Sequence, residues 1–186
     1  MLLMRTISPS LRLALAAMST ALGVLAIYIS SFLGTSRIAL LFIASLMIWI
    51  PIKERGGLLY GFLTYLATLA LAYLLIPNKL YAGVYAVFFG LYGFVQLGAE
   101  KLAKKKVFSF LLKFLCCNLL AGIAFELGCL YLDLDITIAA LLSSIKLPLY
   151  TLIIILEAAI IAFILLYLFC TGVFDKELRK LIIKRD

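Results

Sequence analysis

Six long apolar runs constrain this chain more than any other feature of its sequence. At about 1.5 Å per residue, a helix needs about 20 apolar residues to cross the roughly 30 Å hydrocarbon core of a membrane. The predicted spans cover residues 13–32, 38–52, 57–76, 80–97, 107–131 and 148–173. The sequence therefore predicts an all-α fold, an integral membrane bundle of six transmembrane helices.

Composition supports a single membrane-embedded domain. Hydrophobic residues make up 66% of the 186 residues, and the mean hydropathy is +1.21. A soluble domain is only about half apolar. Because the spans and their short connections take up nearly the whole chain, residues 1–186 are interpreted as one transmembrane domain.

The basic residues lie mostly on one side of the predicted bundle, which sets its orientation. Of the 17 Lys and Arg residues, 14 fall on one side. Cytoplasmic loops are the ones enriched in Lys and Arg, so this side is predicted to be cytoplasmic, with both termini in the cytoplasm. The 14 are Arg5, Arg12, Lys53, Arg55, Lys101, Lys104, Lys105, Lys106, Lys113, Lys176, Arg179, Lys180, Lys184 and Arg185.

Span two, residues 38–52, is short for a crossing. Without it the N-terminus would move outside and the charge distribution would be 13 to 4 in place of 14 to 3. Charge therefore barely separates five spans from six, and the uninterrupted apolar run favours six. Trp49 is expected to anchor this span at the inner interface. Spans three to six keep their direction in either case.

The residue inventory argues against several functional classes. The chain has no histidine, and its four cysteines form no CxxC pair, so no metal site, no cofactor and no enzymatic activity are predicted. The net charge of +8 is carried by short loops and the C-terminal segment, where it meets anionic lipid headgroups instead of nucleic acid. A Gly-rich phosphate loop is missing from the sequence, so no ATP hydrolysis by this chain is predicted.

Two glutamates inside apolar runs are the main candidates for function, because an ionisable group in hydrocarbon is costly. Glu126 lies about 7–8 Å below the outer end of span five, and Glu157 about 13–14 Å below the outer end of span six. Helical spacing places Asn118 and Glu126 on one face of span five, and Tyr150 and Glu157 on one face of span six. The pattern predicts a ligand pocket in the outer half of the bundle.

The predicted pocket is completed by the aromatic face of span four, which includes Tyr85, and is closed by the outer loops that carry Arg37 and Lys79. Its ligand-binding residues are predicted to be Glu126, Glu157, Asn118, Tyr150, Tyr85 and Arg37. Two alternatives remain open. Either glutamate is also compatible with a structural role, protonated and hydrogen-bonded to a neighbouring helix. A proton relay is the third interpretation.

Three other features carry expectations about placement. Lys113 is expected to snorkel from span five to the inner interface. Residues 132–146 form an outer loop whose apolar part either covers the bundle as a lid or rests in the interface. The tail, residues 175–185, has an amphipathic pattern typical of a helix on the inner membrane surface.

Span one has a surface of small residues that includes Ala17-x-x-x-Ala21. This spacing lets another helix approach closely, and Gly57-x-x-x-Gly61 in span three repeats it. Each pattern is compatible with packing inside the bundle or with docking of a partner helix.

Taken together, the size, the six spans, the cytoplasmic termini and Ala17-x-x-x-Ala21 resemble the substrate-binding S components of energy-coupling factor (ECF) transporters. Residues 37–46, RIALLFIASL, and residues 77–92, PNKLYAGVYAVFFGLY, are also similar to a group of small uncharacterised bacterial membrane proteins. The resemblance covers the whole chain but contains no vitamin-specific signature. The absence of histidine argues against the cobalt and nickel members.

The resemblance implies a function and a set of partners. An S component binds a vitamin or related small solute from outside and docks on a transmembrane coupling subunit driven by two ATPase subunits. Ala17 and Ala21 would belong to the docking surface, and Glu126 and Glu157 would lie in the binding region. The alternative is a non-transporting membrane scaffold, such as a rod-shape-determining membrane protein, which would associate with wall-synthesis or cytoskeletal proteins.

Overall fold

The computed structural model describes residues 9–33, 36–53, 57–77, 79–103, 105–132 and 149–183. All regular secondary structure in this part of the chain is helical, which confirms the predicted all-α class. Five of its helical stretches are long and apolar enough to cross a membrane. They comprise Pro9–Phe32, Leu58–Leu75, Lys79–Leu102, Lys106–Leu127 and Ile153–Lys176.

The helices are α1 (Pro9–Phe32), α2 (Arg37–Lys53), α3 (Leu58–Leu75), α4 (Lys79–Val84), α5 (Gly90–Leu102), α6 (Lys106–Leu132) and α7 (Leu149–Ile183), with a π-helical segment, Tyr85–Phe89, between α4 and α5. These bounds agree closely with the six predicted spans. The largest difference is at α7, which continues without a break to Ile183 and so includes most of the predicted tail. The predicted outer loop, residues 132–146, lies outside the described residues except for Leu132, which ends α6.

The chain divides into two compact units, residues 1–94 and 95–186, and the boundary falls within α5. In the first unit, α2 contacts α1, α3 and the π-helical segment. Nine of its 17 residues are buried, which explains why it is apolar all round and lacks a polar face. Trp49 is 1% exposed, so its ring packs inside this unit. This differs from the expectation that the ring anchors span two at the inner membrane interface.

The π-helical segment is stabilised by side chains from its neighbours. A π turn widens the helix and disturbs the regular pairing of backbone carbonyls. Ser45 of α2 donates a hydrogen bond to the Phe89 carbonyl, and the Tyr65 hydroxyl of α3 donates to the Ala86 carbonyl at 3.0 Å. Hydroxyl groups from two helices thus satisfy backbone oxygens that hydrocarbon cannot.

Gly90, directly after the π-helical segment, makes the approach of α3 possible. A side chain there would begin 2.6 Å from the Tyr65 ring, closer than two carbon atoms can lie. The ring of Tyr65 in turn lies 6.4 Å from that of Tyr85. Glycine at this position therefore allows the aromatic packing that holds the segment in place.

In the second unit, α6 and α7 contact each other. Large apolar side chains on both helices are exposed, as expected of surfaces that face lipid. Examples are Leu111, Leu115, Ile154, Leu165 and Phe169.

Candidate functional site

An open groove of about 550 Å³ runs along α6 in the second unit. The residues that line it repeat at three- and four-residue spacing, so they share one face of the helix. They are Asn118, Leu119, Gly122, Ile123, Glu126 and Leu127. Two of the predicted ligand-binding residues, Asn118 and Glu126, therefore lie on the same surface.

Glu126 is exposed in the groove. No hydrogen bond or ion pair joins it to another described residue. A carboxyl group within a membrane-spanning helix is retained only where a polar group compensates it. Because no described residue does so for Glu126, its carboxyl group is able to accept hydrogen bonds from a ligand.

Gly122 lies one helical turn from Glu126 and gives the groove its depth. A Cβ added there would have no atom within 4 Å outside its own helix. The glycine is therefore not required by close packing, in contrast to Gly90. Its effect is to leave space between the polar side chains of Asn118 and Glu126.

Asn118 links the groove to α7. Its Nδ2 donates to Oε2 of Glu157 at 3.2 Å and to the Phe114 carbonyl at 3.3 Å. Both partners are acceptors, so the amide nitrogen must face them. The amide oxygen Oδ1 then has no hydrogen bond to a described residue and remains an acceptor. Asn118 and Glu157 are both partly buried.

These positions give the candidate site an acceptor-rich character. The Glu126 carboxyl group, the Asn118 amide oxygen and the second oxygen of Glu157 all accept hydrogen bonds when the carboxyl groups are ionised. A ligand matching this set would carry donors or a positive charge. Among the described residues, no three His, Cys, Asp or Glu side chains come close enough together to hold a metal ion.

The structure places the remaining predicted ligand residues differently. Tyr150 is 66% exposed in the first turn of α7, and no contact joins it to Glu157. Tyr85 belongs to the first unit, where its side chain is completely buried. The structure therefore brings Asn118 together with Glu157 and with Glu126, whereas roles for Tyr150 and Tyr85 as ligand-binding residues stay predictions.

Arg37 and Lys79, at helix starts in the first unit, already have partners. Arg37 Nε donates to the Leu33 carbonyl at 3.1 Å, and its guanidinium lies 5.2 Å from the centre of the Tyr81 ring. Lys79 Nζ donates to the Tyr73 carbonyl and to the Ile76 carbonyl at 3.0 Å. Lys79 thus satisfies backbone oxygens at the end of α3, a common use of lysine at a helix C-terminus.

A second polar cluster in the second unit was missed by the sequence analysis. Lys113 of α6 forms a 3.3 Å ion pair with Glu100 of α5, and Gln96 of α5 donates to Glu100 at 3.2 Å and to Thr171 of α7 at 3.0 Å. Lys113 is only 3% exposed, so the expectation that it snorkels to the interface is wrong. We call Gln96, Glu100, Lys113 and Thr171 the Lys113 cluster.

A sequence signal for this cluster existed. Gln96 and Glu100 are four residues apart, which places them on one face of a helix, and Lys113 interrupts an apolar run. The predicted end of span four at residue 97 hid the relation, because it left Glu100 in a loop.

The two small-residue patterns have different environments. Gly61 packs inside the first unit, since a Cβ there would lie 2.1 Å from Cγ1 of Ile52. Ala17 and Ala21 are exposed on α1, at the edge of the face that buries Thr20, Gly23 and Ile27. Packing within the described helices therefore explains Gly61 and leaves Ala17 and Ala21 uncovered.

Comparison with known proteins identifies no relative: no protein-family model, no curated protein and no solved structure matches this chain.

Proposed function

We propose that this chain is a substrate-binding membrane subunit that captures a small solute from the outer side of a bacterial plasma membrane, in the manner of an ECF-transporter S component. The solute is a vitamin or related nutrient. A transmembrane coupling subunit and two ATPase subunits supply the energy, and the chain itself performs no catalysis.

The observation that carries this proposal is the exposure of Glu126 in the α6 groove. The adjoining Asn118–Glu157 hydrogen bond supplies a second polar contact on the neighbouring helix. Ionisable residues at membrane depth typically mark substrate or ion pathways. A purely structural carboxyl group would be expected to bond a neighbouring helix, as Glu157 does and Glu126 does not among the described residues.

The acceptor-rich groove favours a solute with a positive charge or with several hydrogen-bond donors. Placing the basic residues inside puts Glu126 in the outer half of the membrane. In the proposed orientation both termini are cytoplasmic and α2 crosses the membrane. Capture from outside depends only on the direction of α6 and α7, which is the same whether or not α2 crosses.

Docking to the coupling subunit is assigned to the exposed Ala17 and Ala21 of α1. Two small residues four apart let a partner helix approach to backbone distance. Support comes from their exposure, because the buried face of the same helix already packs within the first unit.

The test is to purify the protein from its native membrane and measure two properties. We expect ATPase and coupling subunits to co-purify with it. We also expect a solute that carries hydrogen-bond donors to raise its melting temperature. Co-purification of wall-synthesis or cytoskeletal proteins, with no stabilising solute in a broad nutrient panel, would support the scaffold alternative and overturn the proposal.

A further inference from the structure

The Lys113 cluster contains buried hydrogen-bonding capacity that its own members do not use. Gln96 is 1% exposed, Thr171 is 3% exposed and Lys113 is 3% exposed. They lie on three helices, α5, α6 and α7, within the second unit. Buried polar groups in proteins are nearly always hydrogen-bonded, so each unused donor or acceptor points to a further partner.

The orientation of the Gln96 amide is determined by its neighbours. The Thr171 hydroxyl donates its one proton to the Tyr167 carbonyl, at 2.9 Å, and so can only accept from Gln96. An ionised Glu100 is likewise only an acceptor. Nε2 must therefore face both of them, which leaves Oε1 of Gln96 buried and without a hydrogen-bond partner among the described residues.

Lys113 has unused hydrogen-bond donors, whereas Gln96 has an unused acceptor. An ammonium group offers three N–H donors, and its one bond to a described residue is to Oε1 of Glu100. Gln96 Nε2 meets this same oxygen, so the ammonium and the amide of Gln96 are held close to one another. Spare donors and a spare acceptor thus occur in one buried cluster.

We propose that the Lys113 cluster is a hydrated site, at which water accepts a hydrogen bond from the Lys113 ammonium and donates one to Oε1 of Gln96. Water is the smallest molecule that does both, and buried waters characteristically make about three such bonds. A second protein group is not required. The site is distinct from the α6 groove and would exist whether or not the chain binds a nutrient.

Glu100 gives this site access to the aqueous phase. Its side chain is 36% exposed, against 4% for that of Lys113, so the ion pair extends from the protein surface to a buried ammonium. Glu100 also lies near the end of α5, beside the exposed Lys101 and Lys105. Water would therefore enter beside Glu100, which makes the cluster a water-filled recess in the membrane-spanning part of the second unit.

The experiment uses cysteine accessibility in the intact protein in lipid vesicles. Gln96→Cys is treated with small water-soluble methanethiosulfonate reagents of either charge, and residue-level mass spectrometry follows each thiol, including the four native cysteines. Ile164→Cys is the matched dry control, because Ile164 is a completely buried apolar residue of α7 in the same unit. Lys176→Cys, at an exposed position, gives the rate for full access.

The proposal predicts that Gln96→Cys reacts roughly tenfold or more faster than Ile164→Cys, since thiol reactivity requires access for the reagent and formation of thiolate. Melting temperatures of both variants must match the wild type, so that labelling reports the folded protein. If Gln96→Cys does not fold, Thr171→Cys replaces it under the same criterion. Labelling as slow as that of Ile164→Cys would show that the cluster is dry and would overturn the proposal, while leaving the solute groove untouched.

Discussion

Gly122 and Gly172 are both exposed helical glycines of the second unit, with no atom within 4 Å of where a side chain would begin. Only Gly122 lines the α6 groove. A leucine at Gly122 would fill space between Asn118 and Glu126, whereas a leucine at Gly172 would point into open surroundings. The pair therefore separates an effect on the groove from a general effect of replacing a glycine.

We predict that Gly122→Leu lowers solute affinity at least about 10-fold, which corresponds to about 1.4 kcal/mol, and leaves the melting temperature of the ligand-free protein unchanged or raised. Helix propensity favours leucine over glycine, so folding should not suffer. The measurement is solute binding to the purified protein, with Gly172→Leu as the control. Equal binding by both variants would show that the groove does not hold the solute.

Gly61 provides the opposite case, a glycine that packing requires. Its missing side chain would collide with Ile52 at 2.1 Å. We expect Gly61→Ala to destabilise the protein by about 1–3 kcal/mol, the usual cost of overpacking. Thermal unfolding measures this, with Gly172→Ala as the unhindered comparison. A Gly61→Ala protein as stable as the Gly172→Ala protein would contradict the close approach of α2 and α3.

At the scale of single helices, α1 presents two alanines in adjacent positions with different surroundings. Ala16 is 6% exposed and faces the first unit, whereas Ala17 is exposed. We predict that Ala17→Leu folds normally but loses the coupling subunit on purification, because the larger side chain keeps a partner helix away. Ala16→Leu should instead lower the melting temperature through overpacking.

Thermal unfolding and co-purification from the same membranes test both variants. Retention of the coupling subunit by Ala17→Leu at the wild-type level would exclude this face of α1 as the docking surface.

The helices also show which structural features could be predicted from sequence patterns. Their existence and most of their ends followed from apolar runs, since hydrocarbon thickness sets a minimum length for a crossing. The π-helical segment did not follow, because it depends on hydroxyls donated by Ser45 and Tyr65 from other helices. The extension of α5 to Leu102 was also missed, and with it the relation between Glu100 and Lys113.

The candidate site was predictable to a similar extent. Hydrophobic surroundings marked Glu126 and Glu157, and helical spacing placed Asn118 with Glu126 on one face. That Asn118 would donate to Glu157 depends on how α6 and α7 pack, which helical periodicity does not specify. The buried state of Tyr85 depends in the same way on its contact with Tyr65.

At the scale of the whole molecule, the orientation rests on the distribution of basic residues. With α2 crossing the membrane, the proposed orientation places both chain termini in the cytoplasm. We therefore expect epitope tags added at either end to be protected from protease in intact cells and cleaved in inverted membrane vesicles. A tag exposed at the N-terminus alone would show that the 17-residue α2 does not cross.

Solute capture by the α6 groove is the central claim, and ligand-dependent thermal stability tests it most directly. A solute at about one hundred times its dissociation constant should stabilise the wild type by about 2.7 kcal/mol. Glu126→Gln and Glu157→Gln should lose most of this stabilisation. The control Asp175→Asn also removes a carboxyl group, but at a position on α7 beyond Thr171 and outside the groove, and should keep it. Stabilisation of both glutamine variants at the wild-type level would contradict the account.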